Sequence, residues 1–178
     1  MTRMSGALFI ALSLAVGACG PVQPFPADVM NGVEKEFDCT AWRSIPNARL
    51  GQKVQLGGRI VQVNGANGNL TIIATQLPIV QQPAHGPKDT GRRSGEFAIV
   101  YPGSLDSKWV KAGNRLIVVG TTKEAKTVVV DDVQRSLPSL SAQCLHIWNT
   151  GGKEITDFPY NAGGGYEPLE EETHCAPQ

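Results

Sequence analysis

The chain has 178 residues, with 16 Lys and Arg balanced by 16 Asp and Glu, and is 41% hydrophobic and 6% aromatic. That length holds one ordinary domain with a real core and little more. Charge neutrality removes the general electrostatic argument for nucleic acid as a partner.

Arg3 gives a short positive start, and Leu8 to Val16 is an almost unbroken apolar run. About ten apolar residues cannot span a hydrocarbon core, which needs roughly 20. They fit the core of an export signal that ends in small residues. Val16-Gly17-Ala18-Cys19 then looks like a bacterial lipobox, with cleavage before Cys19, lipidation of Cys19 and retention on a membrane. Gly20 is not the aspartate associated with inner-membrane retention, which points to the outer membrane. Residues 1–18 thus read as a lipoprotein signal peptide, and the mature chain of 160 residues carries a net charge of −1.

Residues 19–34 read as a lipid-anchored flexible tether, because Pro21, Pro24 and Pro26 favour extended chain. Asn31 to Trp42 can hold a short helix, with Val33, Phe37 and Trp42 roughly on one face, ended by Pro46. From Lys53 the period changes to two. Lys53 to Leu56 and Arg59 to Val63 nearly alternate apolar and polar, as a half-buried strand requires. Gly57-Gly58 between them predicts a bulge or sharp bend. Asn64-Gly65 and Asn67-Gly68 both suit a hairpin turn.

A second strand runs from Leu70 to Leu77 and stops at Pro78. Residues 81–93 read as an exposed loop carrying Lys88, Arg92 and Arg93, candidate contacts to a partner or to anionic headgroups. Glu96 to Tyr101 is a third strand, and Leu105, Trp109 and Val110 suggest a short helical or turn connection. Asn114 to Gly120 is a fourth strand, which Thr127 to Val130 extends or pairs with, and Leu140 to Trp148 closes the series. Five or six strands with one helix-like insert predict an all-β domain over residues 35–149, a small OB-like barrel. Residues 150–178 hold six acidic residues against Lys153 and lack an apolar period, which predicts a disordered acidic tail with a net charge of −5.

Cys19 carries the lipid in this reading, which leaves Cys39, Cys144 and Cys175. An exported chain permits disulfides. Cys39 precedes the first strand and Cys144 lies in the last, so barrel closure favours Cys39–Cys144, with Cys39–Cys175 as the alternative. Cys144 and His146 share one strand face, and with Cys39, His174 and Cys175 they supply enough ligands for a metal-handling or redox site. Their spacing matches no established pattern, so neither a metal nor a cofactor is expected.

Gly-x-Ser-x-Gly, His-Glu-x-x-His and the phosphate-binding Gly-x-x-x-x-Gly-Lys are all absent. Pro102-Gly103-Ser104 reads as a turn, and no catalytic residue is assigned. The strands offer only Phe97, Tyr101 and Trp148 for base stacking, which argues against nucleic acid.

In their order, these blocks resemble the Slp family of outer-membrane lipoproteins. The likeness lies in Gly51-Gln52-Lys53-Val54 followed by Gly57-Gly58-Arg59-Ile60, and in Leu70 to Pro78. It continues through Ser94 to Ala98 with Leu105-Asp106, Gly113 to Gly120, and Leu145-His146-Ile147-Trp148, over about residues 1–150. Cys39, Cys144 and the acidic tail are individual to this chain. The resemblance implies an outer-membrane location and a β architecture, and brings no defined reaction. The expectation is a non-enzymatic, periplasm-facing lipoprotein acting as a binding or envelope-structure module. Its partners would be membrane lipid through Cys19 and another envelope protein or lipopolysaccharide.

Overall fold

The computed structural model describes residues 23–80, 85–89, 95–153, 161–162, 165–166 and 169–177. Two short helices, α1 (Ala27–Met30) and α2 (Cys39–Ser44), and a 3-10 turn (Pro46–Arg49) precede the strands. These are β1 (Lys53–Ala66), β2 (Asn69–Leu77), β3 (Ile79–Val80), β4 (Gly86–Pro87), β5 (Glu96–Pro102), β6 (Arg115–Val130) and β7 (Val133–Asn149). After them come β8 (Asn161–Ala162), β9 (Gly165–Tyr166) and β10 (Glu170–Cys175). The all-β expectation holds.

Most of the sheet is a curled ring of pairings. β1 pairs antiparallel with β2 and with β6, β2 with β5, and β6 with β7. The ring closes where β5 meets β7 in parallel over only three residue pairs, Ala98↔Ser139 to Val100↔Ser141. The rest of that β7 edge is taken by β10, from Glu170↔Asn149 to Cys175↔Cys144. A strand from the expected disordered tail therefore fills the seam of the sheet. Its six residues carry no apolar stripe. Pairing to an otherwise open edge holds them there, and unpaired strand edges favour such additions.

Alternation along each strand sorts the side chains into an inner core and two outer clusters. Val54, Leu56, Ile60, Ile72, Ile99, Leu116, Val118, Leu145 and Ile147 belong to the inner core. Ile117, Val119, Cys144 and Trp148 point the other way and are covered by Phe25 and Val29. Burial on both faces explains why Leu116 to Val119 is a continuous apolar run. On another part of the outer surface, Ile73 and Ala98 are covered by Val128, Val130 and Leu137 of the long β6–β7 hairpin.

The glycine pair and the turns behave differently from each other. Gly57 permits a close approach, since a Cβ there would meet Ile79 Cγ1 and the Leu77 carbonyl oxygen, each at 2.8 Å. The bulge predicted at Gly57-Gly58 lies instead between Ile60 and Gln62. Asn67 and Gly68 turn the first hairpin with φ of 52° and 74°, while Asn64-Gly65 stays inside β1. The β6–β7 turn uses Asp131 and Asp132 with φ of 49° and 61°. Aspartate tolerates this region better than most residues, so β7 starts seven residues before the predicted strand. Pro138 is accommodated in the irregular stretch of that ladder between Lys123 and Lys126.

The N-terminal segment is not a loose tether where it is described. Pro26 caps a single helical turn, and Phe25 and Val29 are each 4% exposed. Glu34 then bridges to Val54. The predicted helix over residues 31–42 is replaced by α2, capped by the Asp38 carboxylate, which accepts from the N–H groups of Thr40 and Ala41.

α2 carries Trp42 into the inner core, 1% exposed, against Phe37 at 5.4 Å and Phe97 at 6.3 Å between ring centroids. Its Nε1 has no hydrogen-bond partner, so its contribution is volume rather than polarity. Trp42→Phe should therefore cost under about 1.5 kcal/mol, read from the denaturant midpoint. A larger loss would mean that the indole N–H is satisfied.

Candidate functional site

β7 and β10 together place the chemistry-bearing residues of the C-terminal half. Cys144 lies directly opposite Cys175, and the two form a disulfide. The preferred Cys39–Cys144 pair is thereby corrected, as is the alternative Cys39–Cys175. The reason is parity: Cys39 faces the inner core beside Trp42, whereas Cys144 belongs to the outer cluster with Ile117 and Trp148. Cys39 is a free, buried thiol, pushed up to about 12 by burial and, secondarily, by the Asp38 charge. It is a packing residue rather than a nucleophile.

His146 shares the outer face with Cys144. Its ring stands edge-on to Trp148 at 4.2 Å and to Phe25 at 6.5 Å between centroids. Nδ1 is 2.7 Å from Thr173 Oγ1, and that hydroxyl donates to the Pro24 carbonyl oxygen at 3.1 Å. Since a hydroxyl has one proton to give, the imidazole must donate from Nδ1. Nε2 is left facing Glu171 Oε2 at 3.5 Å. Burial lowers the His146 pKa, and Glu171 opposes that shift.

The sequence reading gave His85 no role, yet the structure buries it to 7% exposure. Its pKa is lowered by burial first, then by Lys35 and by His146. Because both imidazoles titrate below their ordinary value of 6.5, the unfolded chain binds protons that the folded chain refuses. Their contribution to stability is full above the unfolded value and is lost as pH falls from there through the lowered folded values. Thermal unfolding between about pH 7.5 and 5 should show a falling midpoint. The His85→Gln/His146→Gln double variant should flatten that slope, and an unchanged slope would contradict the assignment.

The three carboxylates of β10 each have a basic neighbour. Lys108 Nζ donates to Glu170 Oε1 at 2.6 Å, Glu171 faces His146, and Glu172 lies 3.9 Å from His174 Nδ1. The hydrogen bond from Lys108 holds Glu170 below its usual range. His174 itself packs edge-on to Trp109 at 5.7 Å. The five residues considered for a metal or redox site are thus divided among a disulfide, two separate histidine contacts and the inner core. Among the described residues no group of three or more His, Cys, Asp or Glu is placed to hold a metal ion.

The basic loop is only partly in view. Arg92 and Arg93 lie outside the described residues, as does Cys19. Lys88 is half-buried, and its backbone N–H donates to the Pro78 carbonyl at 2.9 Å. Beside it, Asp89 pairs with Arg115, with side-chain exposures of 6% and 1%. A buried pair of this kind ties the loop to β6. An arginine opening an apolar strand was the only hint of it in the sequence.

A second feature lies on the β6–β7 hairpin. A groove of about 660 Å³ runs between the end of β1 and the hairpin, lined by Gln62, Asn64, Thr71, Lys126, Val129 and Asp131. Gln62 Nε2 donates across it to the Val129 carbonyl at 3.0 Å. Val129, in its lining, is 53% exposed. The three strand aromatics considered for base stacking, Phe97, Tyr101 and Trp148, are all buried.

Among the described residues no helix is long and apolar enough to cross a membrane. The family model described as Outer membrane lipoprotein Slp family matches residues 16–171. No curated protein and no solved structure matches the chain.

Proposed function

The chain belongs to the Slp family of outer membrane lipoproteins, and from that premise we propose that it is a non-enzymatic binding or envelope-structure module. It is acylated at Cys19, held on the outer membrane and facing the periplasm. The observation that carries this reading is the extent of the family match, which begins at Val16 and so includes Cys19 with the small residues before it. Several acyl chains on one cysteine supply a hold that a single chain does not. The folded body, an OB-like ring of strands sealed by β10, presents the β6–β7 hairpin groove to a partner. That partner is another envelope protein or lipopolysaccharide. The exposed Val129 beside Lys126 and Asp131 suits a surface of mixed apolar and polar character.

The test is the intact mass of the native protein extracted from membranes, before and after reduction and alkylation. The expected result is a chain that starts at Cys19, carries acyl groups and contains one disulfide with one free thiol. An unacylated mass would overturn the membrane reading.

A further inference from the structure

We propose that the N-terminal segment is a docked strap that holds one defined face of the body, β10 with the C-terminal half of β7, against the phospholipid headgroup layer. This rests on acylation of Cys19.

The strap is fastened along its length. Thr173 Oγ1 donates to the Pro24 carbonyl at 3.1 Å. Phe25 and Val29 are buried among Ile117, Val119, Cys144 and Trp148. Lys53 Nζ donates to the Asn31 carbonyl at 3.2 Å. The Glu34 N–H donates to the Lys53 carbonyl at 2.9 Å, and the Glu34 carbonyl accepts from Gln55 N–H at 3.1 Å.

Chain length turns that docking into an orientation. If residues 19–34 were free, they would reach about 50 Å and the body could rotate at will. With the strap docked from Pro24 onward, the five residues from Cys19 to Gln23 can span at most about 18 Å. A domain of this size has a radius of gyration of about 15 Å. The leash is therefore shorter than the body is wide, and the surface nearest Pro24 stays at the membrane. That surface is β10, whose Glu170, Glu171 and Glu172 face Lys108, His146 and His174. Of these neighbours only Lys108 carries a permanent positive charge, so it is the short leash rather than charge that holds this face at the headgroups. The β6–β7 turn at Asp131-Asp132 lies at the other end of β7, fourteen residues from His146, so in this orientation the hairpin groove is the part of the body turned from the lipid.

The experiment places an environment-sensitive dye on Glu171→Cys or on Val133→Cys in the full acylated chain. The protein is reconstituted in phosphatidylethanolamine–phosphatidylglycerol vesicles containing a headgroup-labelled quencher lipid. Cys39 is buried with a raised pKa, so it stays unlabelled without reductant. Quenching at position 171 should exceed that at position 133 by about fivefold or more, because contact quenching needs near-touching groups and Val133 lies fifteen residues along β7 from Trp148, the partner of Glu171. In Phe25→Ser/Val29→Ser the two positions should become similar. Equal quenching at 171 and 133 in a chain whose mass shows acylated Cys19 would overturn the orientation while leaving the anchor intact. An unacylated mass would overturn the anchor itself, and the orientation with it.

Discussion

Cys19→Ala is expected to move the protein from the membrane fraction to the soluble envelope fraction almost completely. The physical reason is the size of the term removed. Each buried methylene of an acyl chain is worth about 0.8 kcal/mol, and a single myristoyl chain binds only marginally, whereas two or more chains hold stably. Among the described residues no helix is long and apolar enough to cross a membrane, and the exposed large apolar side chains are Ile45, Leu50, Val129 and Val133, with Ile45 the most exposed at 64%. The membrane-bound share should fall at least roughly tenfold. Fractionation under matched expression reads it directly, and circular dichroism of the released protein should match the natural body. If Cys19→Ala remained on the membrane to the same extent, the lipobox reading would be wrong and the body itself would have to bind.

The second large effect is expected from Cys144→Ala/Cys175→Ala. The cross-link closes a loop with a sequence separation of 31, and the chain-entropy model assigns such a loop roughly 3–4 kcal/mol. The loss should be local before it is global. Five of the six β10 residues are exposed, so once the bond is gone the strand is held on β7 by its backbone ladder and by exposed polar contacts such as Lys108–Glu170. Amides of residues 170–175 should lose hydrogen-exchange protection first. Tyr101 should follow, since its hydroxyl donates to the Cys175 carbonyl at 3.4 Å. The inner core of β1, β2, β5 and β6 should keep its protection, with a lowered unfolding midpoint. Uniform loss of protection across all strands would show instead that β10 is part of one cooperative unit with the ring.

Several parts of the molecule were legible in advance. β2 and β5 were read almost residue by residue, because each is a short apolar, β-branched-rich run bounded by turn residues: Leu70 to Pro78, and Glu96 to Pro102. The family was legible too, through the order of its glycine-flanked strand blocks behind Cys19. Where the reading went wrong, local signals competed with distant partners. Three prolines from Pro21 to Pro26 forbid a long helix and suggest free chain. They do not forbid docking, and Phe25 finds its pocket on strands about 90 to 120 residues away in sequence. Glu170 to Cys175 has the composition of a solvated tail, yet it pairs because β7 offers an unfilled edge. The hairpin turn at Asp131-Asp132 escaped notice since neither residue is glycine.

The sequence by itself determined the all-β class and the family, for these are written in local order and period. Only the tertiary structure decided the disulfide partner, the seating of the N-terminal strap and the strand that seals the ring. Each depends on which face of a closed sheet a side chain occupies. Strand alternation puts Cys144 outward while α2 carries Cys39 inside with Trp42, and only the pairing of β10 with β7 brings Cys175 to Cys144. Parity and edge availability are properties of the assembled sheet, and no window of neighbouring residues contains them.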